Sequence, residues 1–210
     1  MPNILVVDDH PLVRQGVVRV LLEEYPRGVI TEASNAPQTM SAVWDQRLDL
    51  VILDLSMPGR GGLELLKEIK SARPALPVLI FSGHPEEQFA VRVLKAGAVG
   101  FLAKDSPPAL MIQAVHLALA GKKFVSAATA EQLASDLTVD TDKLPHELLS
   151  DREYDILLRI ASGQAVGEIA AALNLSVKTV STYRTRVLQK MGKHNNSELI
   201  QYAIRAKLIE

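Results

Sequence analysis

The sequence contains no cysteine, and this removes several kinds of chemistry at once. Without thiols there is no disulfide framework, no thiolate nucleophile and no cysteine-ligated zinc, which fits a reducing compartment. The five histidines (10, 84, 116, 146 and 194) show no ligand spacing such as HxxxH, so a metal site built on nitrogen is not expected either. The sequence also lacks an apolar run of about 18 residues and a basic leader with a cleavage site. We therefore expect neither a membrane span nor a secretory signal.

An excess of charge of either sign is also missing from the chain as a whole. The net charge is −1 and the pI is about 6.5, which does not indicate a nucleic-acid binder. The average hides an asymmetry, because residues 176–193 contain no acid and five cations. These are Lys178, Arg184, Arg186, Lys190 and Lys193. The length of 210 residues suits two domains, and 48% hydrophobic with 22% charged residues is typical of globular domains.

The first 121 residues alternate short apolar runs with stretches of helical periodicity. The runs ILVV (4–7), LVIL (50–53), VLIF (78–81) and VGFL (99–102) are continuous, and a weaker VI lies at 29–30. Continuous apolar runs are typical of parallel strands that helices cover on both faces. Helices are predicted near 12–24, 36–47, 62–73, 86–96 and 107–120. Five such units predict a doubly wound, flavodoxin-like α/β domain over residues 1–121, with a parallel sheet of order 2-1-3-4-5.

The pattern changes after Gly121. Residues 122–147 show little apolar periodicity and are interpreted as a linker, with a helix over part of it near 127–136. From residue 148 to the end every segment is helix-like, which predicts a small all-α domain of four helices over 148–210. Those helices are predicted near 151–162, 166–173, 177–191 and 196–206.

Polar residues occur where the predicted strands end. Strand 1 is followed by Asp8 and Asp9, strand 3 by Asp54 and strand 5 by Ala103 and then Lys104, while strand 4 runs into Ser82. Each has an ordinary alternative explanation, since an acid or a serine at a strand end is often a turn former and a loop lysine is usually solvated. Together they favour one pocket, because the carboxyl ends of parallel strands meet at one edge of the sheet.

Three carboxylates in one place need a cation. Hard oxygen ligands with room for water and a phosphate suit Mg²⁺, and a carboxylate such as Asp54 can act as a nucleophile toward phosphorus. Lys104 and the hydroxyl of Ser82 would then contact the phosphoryl oxygens. We expect Asp54 to lie at the edge of the sheet rather than in the core, because ionised carboxylates are rarely buried without a partner.

The motifs DDHP (8–11), DLSMPG (54–59), SG (82–83) and FLAKD (101–105) resemble the receiver domain of two-component response regulators. The resemblance implies that Asp54 is the phosphoacceptor and that Asp9, assisted by Asp8, binds Mg²⁺ together with the backbone carbonyl of Ser56. Lys104 and Ser82 would contact the phosphoryl group. Ser82 and Phe101 would form the switch, with Phe101 swinging inward. Ser82 replaces the commoner threonine of the family and Phe101 the commoner tyrosine. His10, beside the pocket, stays unassigned.

The C-terminal domain carries the local cation excess on one predicted helix. Ser150 and Glu153 have the spacing of a capping box, and Ile156, Leu157, Ile160 and Ala161 give that first helix one apolar face. The segment that follows predicts a helix, a turn at Asn174–Leu175–Ser176 and a further helix, with Ser176 as the N-cap of that helix and Gly192 as its C-cap. On the third helix Val180, Val187, Leu188 and Met191 form a core stripe, and the remaining face is basic and hydroxylic. Such a face suits DNA phosphates, although solvated surface and protein binding are also open.

The motifs LSDRE, GxxxxEIA, LxLSxKTVSTYR and QKMG resemble the LuxR-type helix-turn-helix over the last 60 residues. The resemblance implies that Ser181, Thr182 and Thr185 face base edges in the major groove. It assigns the DNA backbone to six further residues, with Tyr183 standing where many members have histidine. They are Lys178, Thr179, Tyr183, Arg184, Arg186 and Lys190.

The two parts together resemble the NarL/FixJ family of response regulators. The resemblance implies a cytoplasmic transcription regulator that a histidine kinase phosphorylates on Asp54, and that binds promoter DNA as a homodimer. RNA polymerase is a candidate partner, and the only turnover expected is slow self-dephosphorylation. The last helix, 196–206, could serve the dimer or internal packing. A Mg²⁺-dependent phosphatase and a phosphorylation-gated protein adaptor are the open alternatives.

Overall fold

The fold was analysed in a computed structural model, which describes residues 1–57, 61–136, 144–173, 175–206 and 208–209. Four side chains within helices, those of residues 132, 135, 136 and 151, are outside that description. The chain divides into two compact units, Met1–Val139 and Asp140–Glu210. No helix in the described part of the chain combines the length and apolar character needed to cross a membrane.

The first unit is a five-stranded parallel sheet of order 2-1-3-4-5, which confirms the predicted topology. Its strands are β1 (Asn3–Val7), β2 (Val29–Ala33), β3 (Leu50–Leu53), β4 (Val78–Ser82) and β5 (Gly100–Ala103). Its helices are α1 (Pro11–Glu24), α2 (Ala36–Asp45), α3 (Gly62–Ala72), α4 (Glu86–Lys95), α5 (Pro108–Leu119) and α6 (Ala127–Asp136).

The core of this unit lies on both faces of the sheet. Every residue of β3 and β4 is buried, as the continuous apolar runs predict. By contrast β2 pairs only with β1, and its first residue, Val29, is 57% exposed. An edge strand needs less apolar sequence, and this is why the run at 29–30 is short.

The sixth helix belongs to the first unit and lies within the predicted linker 122–147. Phe124 forms a parallel bridge with Gly100 of β5, and its N–H donates to the carbonyl of Val99 at 2.8 Å. Thr129 on α6 is buried and donates its hydroxyl proton to Glu86 of α4 at 2.9 Å. Residues 137–143 of the predicted linker lie outside the described residues.

The second unit begins with a 3₁₀ turn, Pro145–Leu148, and continues as four helices. They are α7 (Asp151–Ala161), α8 (Val166–Ala172), α9 (Val177–Lys190) and α10 (Asn196–Arg205). Helix α7 packs against the other three, and Ile156, Leu157, Val180, Val187 and Leu199 are fully buried between them.

The caps of these helices follow the sequence. Glu153 accepts the N–H of Ser150 at 2.8 Å, as the capping-box spacing predicts, and Ser176 accepts the N–H of Thr179 at 3.0 Å. Gly192 ends α9 with a φ of 60°, a conformation that disfavours other residues. Asn174, the first residue of the predicted turn, lies outside the described residues.

Candidate functional site

The acidic pocket forms where the central strands end. The N–H of Asp54 donates to the carbonyl of Val7 at 2.9 Å, and the N–H of Lys104 donates to the carbonyl of Ser82 at 2.9 Å. The sheet ladder therefore extends one residue past β3 and β5, and it fixes where both side chains start. Since β1, β3, β4 and β5 are consecutive neighbours, their polar ends share one edge.

Lys104 joins two of the carboxylates. Its Nζ lies 2.7 Å from Asp8 Oδ2 and 2.8 Å from Asp54 Oδ2. Burial alone would lower the pKa of Lys104, but the charges and hydrogen bonds of Asp54 and Asp8 raise it above its usual value. Lys104 is thus a fixed cation in the pocket at neutral pH.

Asp54 lies one residue past β3, at the edge of the sheet as predicted, and it is buried there by the surrounding polar groups. Only 1% of the residue is exposed. Burial raises the pKa of its carboxyl, and the charge of Asp8 adds to this, while Lys104 and the N–H of Ser56, 3.0 Å from Oδ1, act in the opposite direction. Lys104, whose side chain is partly buried, is a partner of the kind that a buried carboxylate requires.

Asp9 and His10 complete the cluster. One ligand atom from each of Asp8, Asp9, His10 and Asp54 lies within 4.8 Å of the others. His10 Nδ1 is 2.9 Å from Asp9 Oδ1, so His10 lies beside the pocket, as its place in the sequence predicts. Asp8 Oδ2 is paired with Lys104, whereas the buried Asp9 Oδ1 makes no hydrogen bond among the described residues. A buried carboxylate oxygen without a hydrogen bond fits a bound cation.

The predicted switch residues are both buried. Ser82 is fully buried, and its Oγ accepts the N–H of His84 at 3.3 Å. Phe101 is 3% exposed, so its ring already lies inside the unit. Of the turn after Asp54, Ser56 and Met57 are described, whereas Pro58 and Gly59 lie outside the described residues.

Helix α9 presents the predicted DNA-binding residues. Its core stripe is buried at Val180, Val187 and Met191, and Leu188 is partly buried. The predicted base-facing residues Ser181, Thr182 and Thr185 are all exposed. The predicted backbone contacts divide into the exposed Lys178, Arg186 and Lys190 and the partly buried Thr179, Tyr183 and Arg184.

Three of these cations have partners within the second unit. Lys190 Nζ lies 2.6 Å from Glu153 Oε2 on α7, and Arg184 Nε donates to Asn196 Oδ1 at 2.6 Å. The guanidinium of Arg186 lies 5.7 Å from the ring centre of Tyr183. Lys190 and Arg184 therefore help to hold α9 in place, a role that the sequence did not signal because their partners lie 37 and 12 residues away.

Comparison with known proteins matches both units to families. Residues 4–116 match the response regulator receiver domain, and residues 147–203 match the bacterial regulatory proteins of the luxR family. The chain belongs to the NarL/FixJ family of two-component response regulators. Its receiver and LuxR-type units are those of a DNA-binding transcription regulator, not of a conventional enzyme.

Relatives match this response regulator over nearly its whole length. The response regulator UvrY of Escherichia coli K12 is 36% identical over 98% of this chain and 94% of its own. The response regulator GacA of Pseudomonas viridiflava is 36% identical over 100% of this chain and 99% of its own.

Solved structures of the response regulator RcsB are also similar. RcsB from Salmonella enterica serovar Typhimurium, bound to the promoter rprA with the phosphomimetic BeF₃⁻, is 26% identical with a TM-score of 0.59, over 96% of this chain and 98% of that one. A structure of two RcsB dimers on two parallel DNAs is 28% identical with a TM-score of 0.58, over 96% and 97%.

Proposed function

We propose that Asp54 accepts a phosphoryl group from a partner histidine kinase in a Mg²⁺-dependent reaction, and that this controls dimerisation and sequence-specific promoter binding. The observation that carries the proposal is the contact of Lys104 with both Asp54 and Asp8, at 2.8 and 2.7 Å. The contact brings the carboxylate of Asp54 beside a cation and a second acid, which is what a phosphoacceptor needs. Promoter binding would place this activity in the cytoplasm.

The phosphoryl transfer needs little beyond these groups. A carboxylate oxygen of Asp54 attacks the phosphorus of the kinase phosphohistidine, and a P–O bond forms while the P–N bond breaks. The electron pair of the broken bond leaves with the imidazole, which then takes up a proton. Lys104 stabilises the charge on the phosphoryl oxygens. Slow attack by water on the resulting acyl phosphate would return free Asp54.

Asp8, Asp9, Asp54 and the backbone carbonyl of Ser56 would hold Mg²⁺. When bound, the ion neutralises negative charge on the phosphoryl oxygens. The support for this ligand set is the grouping of carboxylate oxygens from Asp8, Asp9 and Asp54 within 4.8 Å of one another, together with the buried Asp9 Oδ1 that makes no hydrogen bond among the described residues.

The switch would work through the hydroxyl of Ser82. A phosphoryl group adds three strong acceptor oxygens, and the Ser82 hydroxyl, which accepts from the N–H of His84, would donate its own proton to one of them. Phe101 is already buried, so its response would be a repacking inside the unit and not a movement from solvent. The face of α4, β5 and α5 would change with it. Shifting such an equilibrium from 1:99 to 99:1 takes about 5.5 kcal/mol.

At the output end, α9 would enter the major groove of a half-site, and a homodimer would read two half-sites. The DNA-bound RcsB dimers support this arrangement. Helix α10 buries Leu199 and Ala203 inside the unit, whereas Ile204 is 53% exposed. A dimer contact on α10 would therefore use its Ile204 side.

The proposal is tested with wild-type protein, Asp54→Asn and Asp45→Asn, each incubated with acetyl phosphate and Mg²⁺. Asp45 is an exposed carboxylate on α2, outside the pocket, so its variant is a matched control. Intact mass should show one added phosphoryl group on wild type and Asp45→Asn, none on Asp54→Asn, and none on any protein after EDTA. Genomic binding selection on the same samples should enrich promoter fragments only with the phosphorylated proteins. Equal enrichment by wild type and Asp54→Asn would overturn the switch.

A further inference from the structure

The exposed face of α9 contains two threonines about one turn apart. Thr182 and Thr185 are both exposed, and the hydroxyl of each is hydrogen bonded within the helix. Thr182 Oγ1 donates to the carbonyl oxygen of Lys178 at 3.0 Å, and Thr185 Oγ1 donates to that of Ser181 at 3.1 Å. Both therefore adopt the rotamer in which threonine bonds the preceding turn.

This bonding changes what the two side chains can offer to DNA. A hydroxyl group has one proton and two acceptor lone pairs, so a hydroxyl that donates inside the helix cannot donate to a base. Thr182 and Thr185 are left with a γ-methyl group and acceptor capacity. Each side chain therefore presents a small apolar group to the outside, next to an oxygen that can accept a hydrogen bond.

The four base edges in the major groove respond differently to such a group. Guanine presents two acceptors, N7 and O6, which need donors. Cytosine presents an amino donor but no methyl. An A·T pair presents the thymine C5-methyl and the adenine N6 amino group, so it matches both the methyl and the acceptor.

We propose that Thr182 and Thr185 determine specificity by contacting thymine methyl groups, so that the operator positions they face are A·T pairs. The inference rests on the proposed function, in which this face of α9 lies in the major groove. Ser181 lies on the same face without a methyl group, so it cannot provide this preference.

The first test is a selection from a randomised duplex library with the full-length protein, incubated with acetyl phosphate and Mg²⁺. In the recovered duplex each thymine is replaced in turn by deoxyuridine, which differs only by the missing C5-methyl. Replacement at the positions faced by Thr182 and Thr185 should weaken binding about fourfold each, the effect of one buried carbon. Enrichment of guanine at these positions, or no effect of any replacement, would overturn the inference.

Matched variants assign the effect to each residue. Thr182→Ser keeps the hydroxyl and removes the methyl, so its binding should become insensitive to deoxyuridine at one position while the other position stays sensitive. Thr182→Val keeps the methyl shape and loses the hydroxyl, so it should remain sensitive. The Thr185 pair should behave likewise at the second position. A serine variant that keeps full sensitivity, or a valine variant that loses it, would contradict the assignment.

Two controls keep the result interpretable. Thermal unfolding of each variant should match wild type, since both side chains are exposed. If no duplex is enriched at all, the proposed DNA-binding function fails and this inference falls with it. If a duplex is enriched but its thymine methyls have no effect, only this inference fails.

Discussion

The buried carboxyl of Asp54 has a pKa above its usual value. Burial is the largest cause of its raised pKa, and the neighbouring charge of Asp8 adds to it despite Lys104. A carboxyl whose pKa is higher in the folded than in the unfolded chain binds its proton more tightly when folded. Its ionisation therefore opposes folding as pH rises.

Replacement of Asp54 by asparagine should make the metal-free protein relatively more stable at neutral pH. The stabilisation from the raised pKa is present below the unfolded value, about 3.9, and is lost as pH rises through the folded value. The effect is measured by urea unfolding in EDTA from pH 4 to 8, as the difference in unfolding free energy between wild type and Asp54→Asn. Wild type should become less stable relative to Asp54→Asn as pH rises. The difference between wild type and Asp45→Asn should not change with pH. The opposite slope would contradict the described electrostatics.

Between helices, Glu153 has two roles. It accepts the N–H of Ser150 at the start of α7 and pairs with Lys190 near the end of α9. Burial would raise the pKa of Glu153, but the hydrogen bonds from Lys190 and Ser150 lower it below its usual value. One carboxylate thus caps one helix and connects it to the helix that we propose reads DNA.

Glu153→Gln should destabilise the second unit by about 1 kcal/mol, because it retains an acceptor for the cap but loses the charge opposite Lys190, whose side chain is 43% exposed and screened. The loss is read from the unfolding transition of that unit at pH 7. A carboxyl with a lowered pKa stabilises above its unfolded value and stops doing so as pH falls through the folded value, so the two proteins should converge in acid.

Glu168→Gln is the control for this prediction. Glu168 is exposed and accepts the N–H of Ala165 at the start of α8, so it has the same capping role. Glu168→Gln should lower the unfolding free energy of the second unit much less than Glu153→Gln does. Equal effects in the two variants would show that the pairing with Lys190 contributes nothing.

The helices and buried strands follow from local sequence, whereas contacts between distant residues do not. Periodicity predicts α9 within one residue, and Ser176 and Gly192 mark its ends by ordinary capping chemistry. The packing of α6 on α4 joins Thr129 to Glu86, 43 residues away, and no local pattern signals it. The pocket was predictable because a parallel sheet brings strand ends together, but the degree to which Asp54 is buried depends on side-chain packing.

For the whole molecule, a net charge of −1 is compatible with DNA binding because the field near the DNA is set locally. Lys178 is exposed at the start of α9, while Lys190 is paired with Glu153. Lys178 is therefore available to displace counterions from a phosphate.

Lys178→Ala should reduce the slope of log K against log salt by about 0.9 without changing the preferred site. The measurement is binding of the selected duplex by the full-length protein across a salt series. Lys122→Ala, which removes an exposed lysine of the first unit, should leave the slope unchanged. Altered site preference with an intact slope would assign Lys178 to a base and not to a phosphate.

The bridge between Gly100 and Phe124 indicates where the first unit ends when it is fused to another domain. A Cβ at position 100 would lie 2.6 Å from the carbonyl oxygen of Phe124, so glycine there and backbone at 124 are fitted to each other. If a domain fusion were cut directly after the fifth βα repeat, Phe124 would be lost and the outer edge of β5 would be exposed. Exposed strand edges promote association between chains. A fusion of the first unit to a different output domain should therefore include α6, and the junction should follow residue 136.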